Sequence, residues 1–576
     1  MGNRLPRLLS AVLVVSVTVA GPGRAAVPEP VLDDPLLQAM VAELDRSTAR
    51  LVLKDYEKPY FISYRLTDVR SLSVRASYGA LESSGGDSYR GVAVDVRIGD
   101  YREDNTSDDA GFYYDPHDTD AFEYARAYAP VDNDVIAMRQ KLWLLTDYQY
   151  KRALEDYIGK RGRNVQKVKQ DDRPDDFSRV EPVRRADPVD SLKVDRKRWE
   201  NLARAISSRF KAQPLIYNSV VDFKAISQVR YLVTSEETRL RTGQHNYSMA
   251  ISADARAEDG MPLELERVYK AHDFAGLPDS SGLAAAADSL IGLLLALRSA
   301  PVMEPYTGPA IIKSGASGVF FHEALGHRLE GHRTRRESEG HTFKDKVGSR
   351  IIPDFLTVVD DPTVAKFGGT ELYGEYTYDE EGVPAQRVSL VEKGILKGFL
   401  MSRTPIKTQK TSNGHGRADI WSESVSRMGS LFVTSDAPLS YPALRKRLLA
   451  ECRKAGKEYG LVFEEMVSGE TNTASTGVQT LKVRPRVVRK IFVKDGHEEL
   501  VRGVELIGTP LNTLENIKAA GDDAGVFNGV CGAESGWVPV SAVAPSILIS
   551  EVEVQKMDRN LKRPPILPPP LHDPAP

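Results

Sequence analysis

Cysteine is nearly absent from this sequence: Cys452 and Cys531 are the two present among 576 residues. No disulfide framework can organise the fold beyond a single bridge, and a chain of this length can rely on a buried core instead. Charge of one sign is lacking too. Lys and Arg number 77 against 80 Asp and Glu, a formal net charge of −3, which argues against a dedicated polyanion binder, so no nucleic-acid partner is expected. After the N-terminal leader no stretch reaches about 18 consecutive apolar residues, so no membrane span is expected in the mature chain. The rest, 41% hydrophobic and 27% charged, is ordinary globular composition with length for two or more domains.

The leader itself is informative. Arg4 and Arg7 precede an uncharged, largely apolar run from Leu8 to Ala20, and small residues follow, with cleavage expected after Ala25 or Ala26. That is the layout of a secretory signal peptide over residues 1–26, and it predicts a periplasmic or secreted protein. An uncleaved membrane anchor is the alternative.

Periodicity divides the chain beyond the leader. Residues 27–300 read as a mixed α+β domain. "PLLQAMVAELDRSTARLV" predicts a helix ending near Leu53. Val92, Val94, Val96 and Ile98 predict a half-buried strand, with Gly85 and Gly86 in the loop of a hairpin. Residues 135–200 carry charges of both signs and predict one or two solvated helices with a mobile loop around "QDDRPDDFSRVEP". Trp199, Leu202, Ala203, Ile206 and Phe210 mark one helix face. Residues 229–270 read as strands with a turn at Gly243, and residues 283–298 as a buried helix ended by Pro301. Residues 301–560 then read as a mostly β domain with turns at "EKG" and "KDG". A Pro-rich tail, 561–576, is expected to be extended or disordered.

The chemistry gathers in "SGVFFHEALGHRLEGHRTRRE", residues 317–337. His322 and His327 are natural zinc ligands, and Glu323 is placed to serve as a general base. The familiar zinc helix reads H-E-x-x-H; here the spacing is H-E-x-x-x-H. Residues five apart on a straight α-helix differ by about 140°, so one ion can take both rings only if the helix is widened or broken between them. Gly326 permits that, and a single π-type turn would restore register. Phe321, Leu325 and Leu329 are expected to pack the helix onto the core, and Ser314 or Ser317 to cap it. Glu330 is a candidate to orient a ligand histidine; His332 and His341 read as surface histidines. Spacing alone leaves the third ligand open: Cys531, in "GVCGAESGWVPV", is a thiolate candidate, a small buried hydrophobe or half of a disulfide.

"GVFFHEALGHRLEG" at 318–331 resembles the TldD/PmbA family, in particular its TldD-like, motif-bearing subunit. So do "YDEEGVPAQRVSLVEKGILKGFLMSR" at 378–403, "SNGHGRA" at 412–418, "RMGSLFV" at 427–433 and the run from "VRGVELIG" to "ISEVEV". The resemblance implies a two-domain α+β chain whose β-rich C-terminal domain carries the distorted helix. It implies a zinc metallopeptidase holding one Zn²⁺ per chain through His322, His327 and Cys531, with Glu323 as base. It further implies peptides or unfolded polypeptides as substrates, and a homodimer or a heterodimer with a PmbA-like subunit. The chain departs from the family in its export signal, in His332 where an acidic residue is common, and in "TASTGVQTLKVRPRVVRK" where the family is often Gly-rich. His415 and Arg417 are candidate oxyanion donors. A second reading is a non-catalytic assembly or partner subunit with structural or absent zinc, in which His332 or His341 would close the ligand shell. A third is a zinc hydrolase acting on a non-peptide amide.

Overall fold

The computed structural model of the chain describes residues 34–106, 127–166, 173–188, 190–475, 481–557 and 561–570. The leader, its cleavage point and residues 571–576 lie outside them.

Asp34 sets where the first helix begins. Its Oδ1 accepts the N–H groups of Leu36 (2.9 Å) and Leu37 (3.2 Å), and Pro35 takes the first helical position of α1 (Pro35–Arg50), a favoured pairing of cap and first residue. The helix stops short of Leu53 because Leu51 turns extended.

Beyond α1 the chain forms a seven-stranded sheet. Its strands are β1 (Pro59–Ser77), β2 (Ala80–Ile98), β3 (Ala127–Ala129), β4 (Arg184–Ala186), β5 (Ile216–Thr234), β6 (Arg239–Arg256) and β7 (Pro262–Ala271). The order is β3-β2-β1-β5-β6-β4, and β7 also pairs with β6. Two expected turns are strand interior. Gly86 stands opposite Leu72 within β2, and Gly243 opposite Val229 within β6. The first reversal falls instead at Tyr78 and Gly79, with φ of +46° and +81°, as a two-residue hairpin requires. The second falls between β5 and β6, where Glu237 has φ +73°. Residues 82–88 are largely exposed, so they lack the apolar alternation that marks a half-buried strand.

One face of this sheet is covered by four helices in two pairs. α1 and α2 (Val135–Gln166) pack on Ile62, Tyr64, Leu66, Val229, Tyr231 and Val233; α3 (Arg196–Ser207) packs on Val74, Ala76, Val221, Phe223 and Ala225, with α4 (Ser280–Ser299) in the same buried cluster. Trp199 stacks on Phe223 with ring centroids 3.8 Å apart. α4 is long and apolar enough to cross a bilayer by length and composition; here its buried face lies on β6 and β7. The opposite sheet face, with Arg65, Thr67, Gln228, Arg230 and Leu232, meets C-terminal loops across a cavity of ≈ 310 Å³.

The segment expected to be a mobile loop is a fastening where it is described. Asp176 is fully buried and pairs with Lys160 (2.5 Å), Arg335 (2.7 Å) and Arg173 (2.8 Å). Phe177 lies between the guanidinium groups of Arg97 and Arg403. Arg403 also donates to the Ser178 carbonyl, at 2.6 and 2.9 Å. The partners lie far away in sequence, so a run of mixed charge read locally gave no sign of them.

From β8 (Tyr306–Ile312) onward the chain builds two sheets around α5 (Ser314–Ala324). The first has six strands. These are β9 (Leu356–Asp360), β12 (Val388–Glu392), β13 (Ile395–Leu396), β16 (Ser430–Ser435), β22 (Gly525–Ala533) and β23 (Gly536–Ala544), in the order β13-β12-β9-β16-β23-β22. The second links β17 (Tyr459–Thr471), β8, β24 (Ile547–Lys556), β20 (Val504–Gly508) and β18 (Leu481–Phe492), and a β17–β18 pairing closes the ring. β19 (Glu498–Val501) pairs with β18 and β21 (Ile517–Ala520) with β24, while β10 (Lys366–Phe367) with β11 (Thr370–Glu371) and β14 (Gly416–Arg417) with β15 (Val425–Ser426) form short ladders. Positive φ at Lys393, Gly394 and Gly496 confirms turns at "EKG" and "KDG". The largest buried cluster draws on residues from Met303 to Val554 and includes Phe321, Leu325 and Leu329. Residues 561–570 join no sheet.

The Asp176 fastening yields a stability test. Asp176→Ala strands Lys160 and Arg335 without their counter-charge and is expected to cost about 3–5 kcal/mol in urea unfolding. A loss under about 1 kcal/mol would show that the segment is not held by this carboxylate.

Candidate metal centre

α5 leaves the end of β8 and is buried over nearly its whole length. Neither expected serine caps it. Lys313 is the N-cap, without a side-chain bond; Ser314 is already helical, and Ser317 donates its backbone N–H to the Lys313 carbonyl at 2.7 Å.

The helix is broken between the two histidines rather than widened. Regular α geometry ends at Ala324, Leu325 departs with φ −119° and ψ −51°, and Gly326–Leu329 forms a 3₁₀ turn. No π-type turn is present here. Gly326 is needed for space, not for an unusual φ: a Cβ there would sit 2.1 Å from Met428 Sδ. The break frees carbonyls at the helix end, which would be costly to bury unpaired. Arg328 collects them, donating from Nη1 to Glu323 O (3.0 Å) and Ala324 O (3.3 Å), and also to Thr471 Oγ1 (2.9 Å).

The consequence is convergence. The rings of His322 and His327 lie 4.9 Å apart at 83°. Cys531 is delivered from β22, on the face it shares with Val538 and Val540. Its Sγ lies 3.1 Å from His322 Nε2 and 3.4 Å from His327 Nε2. The three ligand atoms fall within 4.8 Å of one another, all three residues are buried, and among the described residues no other His, Cys, Asp or Glu group of this kind occurs. Two imidazole nitrogens and a thiolate are a zinc donor set, and three protein ligands leave one position open, so the residues fit the metal. Cys452 is free and buried in a separate apolar cluster with Leu444 and Leu448, so no disulfide competes for Cys531.

Behind His327 stands Glu330, in the orienting place expected. Its Oε2 is 3.2 Å from His327 Nδ1 and 2.8 Å from Arg333 Nε, and its Oε1 faces Arg427 Nε at 3.4 Å. Glu323 is arranged differently. Its Oε2 is 3.9 Å from His327 Nε2, and Gly469 of β17 makes room for it, since a Cβ there would lie 2.3 Å from Glu323 Cγ.

Burial raises the Cys531 thiol, but His327 and His322 outweigh it and bring the pKa down to about 4. Burial lowers His327, but Cys531 and Glu330 outweigh it and raise it to about 10. In the metal-free protein the cluster is therefore a thiolate–imidazolium pair. Burial, chiefly, raises Cys452 to about 11.

Several expectations are corrected here. His332 is not a surface residue: it is 4% exposed and bonded to Glu534, which also holds Arg333 and Arg336. His341 is half-buried with φ +48°, and its Nε2 lies 2.7 Å from the Arg336 carbonyl. Neither joins the His–His–Cys group. His415 and Arg417 are not poised as oxyanion donors. His415 pairs with buried Asp360 (3.2 Å), and Arg417 donates to the Met428 and Pro539 carbonyls. Arg328, Arg333, Arg427, Gly469 and Glu534 were missed. Arg328 and Arg333, inside the 317–337 stretch, and Glu534, three residues after Cys531, carried a positional hint; Arg427 and Gly469 lacked any local signal.

Residues 305–556 match the PmbA/TldA metallopeptidase C-terminal domain. The chain is 30% identical over 239 residues to a metalloprotease of Archaeoglobus fulgidus, covering 41% of this chain and 51% of that one. It is 28% identical over 249 residues to a zinc metalloprotease TldD homolog of Saccharolobus solfataricus, covering 43% and 51%. The chain spans about half the length of these curated relatives. In fold it is similar to TldE from Thermococcus kodakarensis, with a TM-score of 0.56 at 12% identity over 90% of this chain and 100% of that one. The matched domain is the part of the two-domain α+β chain that carries the buried His–His–Cys cluster. Residues 305–556 thus carry the C-terminal domain of the PmbA/TldA metallopeptidases, and the curated relatives matched include TldD homologs.

The geometry makes two outcomes testable. Gly469→Ala displaces Glu323 and leaves the three donors in place, so zinc content is expected to stay near wild type while any turnover falls at least about tenfold; loss of zinc instead would place Gly469 in metal retention. In the zinc-free protein, thiolate absorbance near 240 nm is expected to persist as pH falls from 8 and to disappear only around pH 4, because the depressed Cys531 pKa keeps the charged form until then. A midpoint near 9 would show that the histidines do not face the sulfur.

Proposed function

We propose that the chain is an exported zinc-dependent metallopeptidase that hydrolyses peptide bonds of peptides or unfolded polypeptides, with Glu323 as general base. The observation that carries this reading is the meeting of His322, His327 and Cys531 at one buried point, with the Glu323 carboxylate beside it.

Zinc held there supplies a Lewis acid, which makes water acidic near neutral pH and polarises an acyl oxygen. The chain's own residues do the rest. His327 donates Nδ1–H to Glu330, which keeps Nε2 free for the metal side. Glu323 takes a proton from the attacking water on its carboxylate and delivers it to the departing nitrogen. β22 carries Cys531 and is the edge strand of its sheet, which supports binding of an extended peptide by its backbone, with little dependence on side chains. The zinc metalloprotease relatives support the metal and the reaction class. The leader over residues 1–26 motivates export to the periplasm or exterior. Likeness in fold to TldE motivates a dimer, either of this chain or with a PmbA-like subunit.

A structural zinc in a non-catalytic partner needs a fourth ligand. His332 and His341, the candidates, are engaged with Glu534 and the Arg336 carbonyl, which favours the open, catalytic arrangement.

Glu323→Gln is expected to retain one zinc per chain and to lose about 10²–10⁴-fold in turnover of an unfolded protein substrate. Unchanged turnover would overturn the role of Glu323; a wild-type protein without zinc would overturn the function.

A further inference from the structure

We propose that Arg427 is a positioning residue for the metal centre. Its single buried guanidinium fixes both the carboxylate behind His327 and the strand that delivers Cys531, and so sets the spacing of two donors it does not touch. The inference deepens the zinc reading above and rests on it.

Arg427 is fully buried. Its Nε faces Glu330 Oε1 at 3.4 Å. Nη2 donates to the carbonyl of Cys531 itself, at 2.9 Å. Nη1 donates to Ser535 Oγ at 2.9 Å and to the Gly536 carbonyl at 3.3 Å. Its own backbone N–H is tied to the His415 carbonyl at 2.9 Å. One side chain therefore joins three stretches of chain: the turn after the broken helix, its own segment, and the β22–β23 hairpin.

The targets of these bonds distinguish positioning from packing. A buried guanidinium that served only the core could spend its donors on any carbonyl. Here the guanidinium forms an ion pair with the carboxylate that orients one metal-side imidazole, and its Nη2 donates to the backbone of the sulfur ligand. Among the described residues β22 pairs with β23 alone, so the neighbouring strand holds it from one side. The Arg427 bond restrains it again at the residue where displacement would move Sγ. Glu330 too is held from two sides, by a hydrogen bond from Arg333 to Oε2 and by the charge of Arg427 facing Oε1. An ammonium cannot reproduce this, because it is one point charge where the guanidinium is a rigid fork with donors on three sides.

The test uses the full-length chain and the variants Arg427→Lys and Ser535→Ala. Three quantities are read: zinc affinity by chelator competition, the visible spectrum of the cobalt-substituted protein, and thermal unfolding of the metal-free protein. Arg427→Lys is expected to weaken zinc about 10–100-fold and to shift the cobalt ligand-field bands, with the thiolate charge-transfer band retained. Ser535→Ala leaves every ligand in place and removes the shorter of the two bonds made by Nη1; a smaller loss of affinity in the same direction is expected. A purely structural Arg427 would lower the unfolding midpoint and leave affinity and spectrum unchanged, which overturns the proposal. If Arg427→Lys does not fold, Ser535→Ala decides alone, and wild-type affinity and spectrum in it overturn the proposal. Zinc binding by the wild type that survives Cys531→Ser undiminished would instead remove the zinc reading, independently of either variant.

Discussion

Two imidazoles that an unbroken α-helix would turn about 140° apart face one point because α5 ends after Ala324. The rest of the centre depends on that interruption. Phe320 and Phe321 hold the helix in the core on one side of the break, and Leu325 and Leu329 hold the turn on the other. Met428 presses against Gly326 so closely that any larger residue there would have to displace it. Arg328 takes the carbonyls that the interruption exposes. Packing, a small residue and a guanidinium together make a conformation that the helix would not adopt alone.

Charge is the second condition. A thiolate, Glu330 and Glu534 are brought into the interior, and each would be prohibitive unpaired. They are matched by the imidazoles and by Arg333, Arg336 and Arg427. The matching runs through shared partners: Arg333 touches Glu330, Glu339 and Glu534. Such a network ties the turn after the helix to the β22–β23 hairpin, so the two histidines and the cysteine are placed relative to each other by ion pairs as well as by apolar packing.

The elements that were legible are those with strong local periodicity. α4 appeared from its apolar run, α3 from the spacing of Trp199, Ala203 and Ile206, and the later turns from "EKG" and "KDG". The long strands of the first sheet were cut too short, since Gly86 and Gly243 are punctuation in a local reading and ordinary strand residues when a neighbouring strand supplies the hydrogen bonds. The segment around Asp176 read as solvated for the same kind of reason: Lys160, Arg335 and Arg403 come to it only in the folded chain.

At the metal centre the division is sharp. The sequence by itself determined the two imidazole donors, their abnormal five-residue spacing and hence the need for a distorted helix, because these follow from side-chain chemistry and helical geometry. It also placed Glu330 where it could reach His327, three residues away on the same turn. Tertiary structure alone decided that the distortion is a break, that Cys531 arrives from an edge strand about two hundred residues later, and that His332 belongs to Glu534. Those outcomes depend on contacts between distant segments, and no local pattern of residues encodes which segments will meet.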